Sequence, residues 1–204
     1  AEGSGKPQEK KLVAVFSNFL QLMAGIMSPV IPSLIAAGFL TCLLLLLNLV
    51  FGLESTNSTY VILNNLAQSV FYFLPVFVAY TSAKKFDTEP VLAMLLACWL
   101  LYPDWVAMAG AGGYTSYFGI PALLTTYNGA VLQIILSVWV MSKIDQLLKK
   151  MLPLSVRHFL KPFLLILITS VITLTLTGPL GGLVTNYIAM FIAWIRNYAS
   201  WAAV

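Results

Sequence analysis

The stretch Phe73–Pro103, FLPVFVAYTSAKKFDTEPVLAMLLACWLLYP, places two apolar runs, a short charged turn and three prolines in one hairpin. Extended back to Tyr60, the first run reaches Ala83 without a charged side chain. A helix of that length crosses a bilayer, which takes about twenty residues at 1.5 Å rise. The turn Lys84-Lys85-Phe86-Asp87-Thr88-Glu89 carries four formal charges in six residues, and Pro90 stands where a new helix begins. A second span, Val91 to about Met108, returns in the opposite direction. Lys and Arg accumulate in short cytoplasmic loops, so the basic turn between the two spans is assigned to the cytoplasm.

Composition agrees with this reading. The chain is 60% hydrophobic and 9% charged, with a mean hydropathy of +0.90, whereas soluble domains are about a quarter charged. It is an all-α polytopic membrane protein, with about five to six transmembrane helices, an N-terminal interfacial or broken helix and a cytoplasmic amphipathic helix. The net charge of +4 does not point to nucleic acid, because the basic residues sit in small groups between apolar spans, where topology accounts for them. Cys42 and Cys98 lie inside predicted spans without metal or redox spacing and read as buried packing residues.

Residues 1–11, AEGSGKPQEKK, have the makeup of a flexible linker. From Leu12 to Met27 apolar residues recur at helical spacing beside the polar stripe Ser17, Asn18, Gln21 and Gly25. Sixteen residues are short for a span, so an interfacial helix or the first half of a broken one is expected, bending at Ser28-Pro29 and Pro32. Ser33–Gly52 is the first clear span. The loop Leu53–Thr59 holds Glu54 and no basic residue, which assigns it to the outer side. Its Asn57-Ser58-Thr59 matches a glycosylation sequon, a pattern common by chance.

After the opening hairpin, Asp104–Tyr117 is expected to be an outer loop whose Gly110, Gly112 and Gly113 are turn residues and whose aromatics lie at the interface. Ala122–Met141 is the fourth predicted span. Its Thr125, Thr126, Tyr127, Asn128 and Gln133 are polar at membrane depth, where such groups bond neighbouring helices or face a cavity. Tyr127, Asn128 and Gln133 are therefore the candidates for substrate contact, with helix–helix hydrogen bonding the alternative. Lys143–Lys161 reads as a surface helix ended at Pro153, with Ile144, Leu147, Leu148 and Met151 on its apolar face and Asp145, Gln146, Lys149 and Lys150 on its polar face. His158, beside Arg157, reads as a solvated surface residue. Pro162–Thr177 is a fifth span and Leu183–Ile195 begins a sixth. With these spans all eleven basic residues fall on one side, so both termini are expected in the cytoplasm and Asn57 and Gly112 outside.

An ordered set of elements carries a family resemblance: Ser28-Pro29-Val30-Ile31-Pro32, Phe73-Leu74-Pro75 with Tyr80, Ala83-Lys84-Lys85-Phe86, Glu89-Pro90-Val91-Leu92-Ala93-Met94, Leu101-Tyr102-Pro103, Gly119-Ile120-Pro121, Tyr127-Asn128, the expected Lys143–Pro153 helix and Gly178-Pro179-Leu180-Gly181. Together they resemble the membrane domain, enzyme IIC, of the bacterial phosphotransferase system (PTS), glucose superfamily, β-glucoside and sucrose branch, from about Leu12 to Tyr187. The resemblance implies a sugar permease in the bacterial plasma membrane. It also implies IIB and IIA partner domains that supply the phosphoryl group, and a homodimer whose interface lies in the amino-terminal helices.

In that family the Gly-(Leu/Ile)-His and Gly-Ile-(Thr/Ser)-Glu-Pro motifs that supply the sugar-contacting His and Glu follow the Gly-Pro-Leu-Gly element. Neither occurs before Val204, and no Cys-Ala-Thr-Arg-like IIB segment is present. Tyr102 stands where His is usual before Pro103, and Gln133 where Pro is usual. Residues 12–204 are thus expected to be the scaffold part of an enzyme IIC domain, with sugar contacts outside them. A membrane interaction module without transport is the alternative. With no intramembrane Asp, Glu or His expected, no catalytic, metal or cofactor residue is assigned. The small residues Ala36-Ala37-Gly38 and the Ala79, Ala83 pair could serve either self-association or packing within one chain.

Overall fold

A computed structural model describes residues 7–117, 119–124 and 131–177, together with Tyr187, Met190, Ala193, Trp194 and Arg196. The chain forms two compact units, Ala1–Tyr72 and Phe73–Val204.

The first unit contains helices α1 (Pro7–Met27), α2 (Ile31–Phe51) and α3 (Ser58–Tyr72). α1 begins at Pro7 and takes in the end of the stretch read as a linker, because a proline is compatible with the first helical position. A turn closed by the Val30 amide on the Met27 carbonyl (2.9 Å) separates α1 from α2, and the Ser33 hydroxyl donates back to the Val30 carbonyl at 2.7 Å. α2 stops at Gly52, whose φ of 63° is the left-handed cap that glycine adopts without penalty. The Asn57 side chain accepts the Thr59 amide at 2.9 Å and caps α3, so the sequon has a structural use. α2 and α3 pack on each other, with Ala37, Leu44 and Ala67 buried. Most other side chains of α2 face outward, Phe39 and Leu49 among them, as expected of a helix bathed in lipid.

The second unit holds α4 (Leu74–Lys85), α5 (Pro90–Leu100), α6 (Pro103–Ala111), strands β1 (Tyr114–Tyr117) and β2 (Ile120–Leu123), α7 (Val131–Met151) and α8 (Leu154–Ile172), which runs on into a π-helical turn Thr173–Thr177. α4 packs against α5 and α7, and α8 against α7 and α5. Small residues permit the close approach: Ala79, Ser82, Ala83, Ala93 and Ala97 are all buried.

Several expected boundaries move, and prolines explain most of the shifts. The apolar run Tyr60–Ala83 is two helices, because Pro75 stands in the first turn of α4 and marks a new start after Phe73. Val91–Met108 is likewise two helices, α5 and α6, meeting at a 46° bend. Pro103 forces Tyr102 into an extended conformation, φ −62° and ψ 136°. Asp104–Tyr117 is not a loop but α6 followed by β1, which pairs antiparallel with β2 from Tyr114↔Leu123 to Tyr117↔Ile120. Gly112 and Gly113, at φ 69° and 96°, make the break between helix and strand. Tyr117 fastens the hairpin to α8 through its hydroxyl, 3.1 Å from Ser170 Oγ, and Trp99 lies tilted beside Trp105 and Tyr117 with ring centroids 5.8 and 6.5 Å away.

The fourth predicted span also changes. Ala122 and Leu123 belong to β2, and α7 runs without interruption through Met141 to Met151. The separate surface helix expected from Lys143 is therefore the end of α7, Lys143 to Met151, and Pro153 in extended conformation divides it from α8. α8 starts at Leu154, so Pro162 is inside it rather than at its start. Cys42 and Cys98 are exposed rather than buried, on helix faces that an apolar surrounding accommodates. Among the described residues three helices, Ile31–Phe51, Val131–Met151 and Val156–Leu176, are long and apolar enough to cross a membrane, or up to five if the pairs Ser58–Tyr72 with Leu74–Lys85 and Pro90–Leu100 with Pro103–Ala111 each count as one. This is an all-α polytopic membrane protein with one small hairpin. The sixth predicted span lies outside the described residues apart from Tyr187, Met190, Ala193 and Trp194.

Candidate functional site

Helical phase brings a charge into the second unit. The buried stripe of α7 is Ile134, Val138, Met141, Asp145 and Leu148, spaced alternately by four and three residues, so it continues unbroken through an acidic position. Asp145 has 0% of its surface exposed. It is not on the outer polar face that a detached amphipathic helix would give it, and Leu147 and Met151, expected on the apolar face, are exposed instead. A buried carboxylate needs partners, and Asp145 has two: Lys149 Nζ lies 2.7 Å from Oδ2, and Lys161 Nζ lies 2.8 Å from Oδ1. Lys161 also reaches Glu89 Oε1 at 3.2 Å. The four side chains tie the start of α5 to α7 and α8.

The surrounding backbone is held in register with this network. Ser142 Oγ donates to the Phe86 carbonyl at 2.8 Å, and the Thr88 amide donates to the Ala83 carbonyl at 3.0 Å, with Asp87 between them at φ 54°. Arg157 Nη2 donates to the Lys149 carbonyl at 2.5 Å and the Leu152 carbonyl at 3.1 Å, placing a cation at the carbonyl end of α7. Beside the network opens a pocket of about 400 Å³ lined by Glu89, Leu92, Arg157, His158, Lys161 and Pro162. Its lining carries two cations, Arg157 and Lys161, and one carboxylate, Glu89. Among the described residues no group of three or more His, Cys, Asp or Glu is placed to hold a metal.

The residues singled out by sequence are dispersed. Tyr127 and Asn128 lie outside the described residues. Gln133 is buried on α7, where its backbone carbonyl accepts the Ser137 hydroxyl at 2.8 Å. Lys84 and Lys85 are exposed, with Lys84 Nζ 4.4 Å from the centre of the Tyr80 ring. His158 is exposed at the pocket rim. The Glu89, Asp145 and Lys161 cluster was not anticipated. The Asp145-to-Lys149 spacing was its one local signal.

A family model described as "Phosphotransferase system, EIIC" matches residues 24–204. The chain is 34% identical over 203 residues to the PTS system beta-glucoside-specific EIIBCA component of Halalkalibacterium halodurans, covering 93% of this chain and 32% of that protein. It is 30% identical over 191 residues to the sucrose-specific EIIBC component of Klebsiella pneumoniae, covering 92% of this chain and 42% of that one. A third relative, the arbutin-, cellobiose-, and salicin-specific EIIBC component of Escherichia coli, is 30% identical over 207 residues, with 100% of this chain and 42% of that protein covered. The chain thus spans between 32% and 42% of the length of these relatives. No solved structure matches.

Proposed function

The chain belongs to the phosphotransferase system EIIC family, and on that premise we propose that it is a membrane-embedded part of a bacterial sugar permease that takes up a β-glucoside, sucrose or a related glucoside with concomitant phosphorylation. The observation that carries this reading is the family match, continuous over residues 24–204. The substrate class and the IIB and IIA partners follow from relatives named as β-glucoside- or sucrose-specific EIIBC and EIIBCA components. In this proposal residues 12–204 serve as scaffold, in a bacterial plasma membrane, and a second copy of the chain packs through the amino-terminal helices.

The test is uptake. The full reading frame that contains this chain, expressed in cells lacking their own β-glucoside and sucrose permeases, is expected to give phosphoenolpyruvate-dependent uptake of at least one of salicin, cellobiose and sucrose. Uptake of none of them defeats the reading. In the same cells the double variant Lys84→Gln, Lys85→Gln is expected to transport normally, because two exposed lysines in the last turn of α4 act in topology without a further role. Normal insertion with lost phosphorylation would instead make the turn a docking point for IIB.

Both termini are placed in the cytoplasm, on the basic side. In a background with Cys42 and Cys98 replaced by Ala, Ser55→Cys is expected to react with a membrane-impermeant thiol reagent applied to intact cells, and Met151→Cys only after the cells are opened. Ser55 lies between α2 and α3 and Met151 at the end of α7, and both are exposed. The reverse pattern would invert the topology.

A further inference from the structure

Two hollows of the second unit adjoin along α5 and α8. The pocket beside Arg157, His158 and Lys161 shares Leu92 and Pro162 with a groove of about 520 Å³. That groove is lined by Leu95, Trp99, Phe163, Ile166 and Leu167, and by Tyr117 and Ser170 at one end. Its walls are almost wholly apolar, and α8 is apolar enough to lie within a bilayer. What fits such a groove is an aliphatic chain.

The adjoining pocket has the opposite chemistry. Arg157 and Lys161 carry two positive charges against the one negative charge of Glu89, and His158 stands at the rim. Arg157 is held at this pocket by its Nη2 bonds to the end of α7. Guanidinium groups match phosphate oxygens in charge and geometry, and basic pockets between membrane helices receive anionic headgroups.

We propose that the α5–α8 seam binds one anionic phospholipid, its phosphate against Arg157 and His158 and one acyl chain along the groove past Leu95 and Ile166. The adjacency of an apolar groove and a basic pocket selects this occupant. A free anion would leave the groove unused, and a neutral apolar molecule would leave the two cations of the pocket unmatched. A choline headgroup would bring its own cation to a basic pocket.

The experiment is native mass spectrometry of the whole chain released from vesicles of equal phosphatidylglycerol and phosphatidylcholine. One tightly held lipid is expected, with phosphatidylglycerol retained over phosphatidylcholine on the order of fivefold. Arg157→Gln is expected to bring the ratio to parity. Because Arg157 also holds the end of α7 and its loss could disturb folding, Leu95→Trp is the second variant. It changes no charge at a position 52% exposed, fills the groove, and is expected to abolish retention with the thermal midpoint unchanged. Parity in the unaltered chain, or a preference that survives Leu95→Trp, would overturn the proposal. Displacement of the lipid by millimolar inorganic phosphate would also overturn it, in favour of a soluble-anion pocket.

Discussion

Asp145→Ala is expected to destabilise the second unit by about 3–5 kcal/mol, the cost of removing one partner from a buried ion pair. The lost carboxylate is the partner that Lys161 cannot replace. The Lys161 side chain is only 10% exposed, and its other contact, Glu89, is 54% exposed, so the attraction to Glu89 is weakened by solvent. Lys161→Met is expected to cost less, because Asp145 keeps Lys149 at 2.7 Å, a lysine that is 43% exposed and can follow the carboxylate. The double variant Asp145→Leu, Lys161→Met is expected to recover most of the loss, since an apolar pair of similar volume carries no desolvation cost. Equilibrium unfolding of the purified chain in mixed micelles measures all three. A loss below about 1 kcal/mol for Asp145→Ala would place the pair in the class of surface ion pairs and remove the network as an organising element.

The same network marks where sequence reading reached its limit. α2 was legible because Ile31–Phe51 has no charge and no internal break, and Pro90 announced the start of α5 because a charged turn precedes it. Pro75 and Pro103 were harder, since hydropathy across Tyr60–Ala83 and Val91–Met108 stays high on both sides of each break. In lipid, neighbouring helices can satisfy a broken turn, so the apolar signal does not fall there. Lys143–Met151 misled for the opposite reason. Hydropathy falls after Met141, yet the backbone needs no break, and the alternating spacing of the α7 stripe carries Asp145 inward. Its partners could not be read locally either, because Glu89 and Lys161 are 72 residues apart. The family resemblance fared better than the boundaries. It rests on the order of short motifs, which does not depend on where each helix ends.

Ala79→Leu is the second large effect, and it separates the two uses that sequence left open for the small residues. Ala79 and Ala83 on α4 are both 0% exposed, as is Ala93 on α5, while Ala97 is 1% exposed, so this small face lies within the chain. Three added carbons at Ala79 have no space to enter without moving α4 from its neighbours, and overpacking of that kind costs about 1–3 kcal/mol. Ala36 and Gly38 on α2 differ. Ala36 is exposed, and a Cβ added at Gly38 would meet nothing within 4 Å. Ala36→Leu is therefore expected to leave the thermal midpoint unchanged and, if α2 supplies the contact between copies, to reduce cross-linked dimer at every dilution. Thermal midpoints and cross-linking of the two variants side by side decide the matter. Stability kept with dimer lost in Ala79→Leu would move the interface to α4. Dimer retained in both variants would remove the small face of α2 from the interface and leave its exposed Phe39 and Leu49 to lipid.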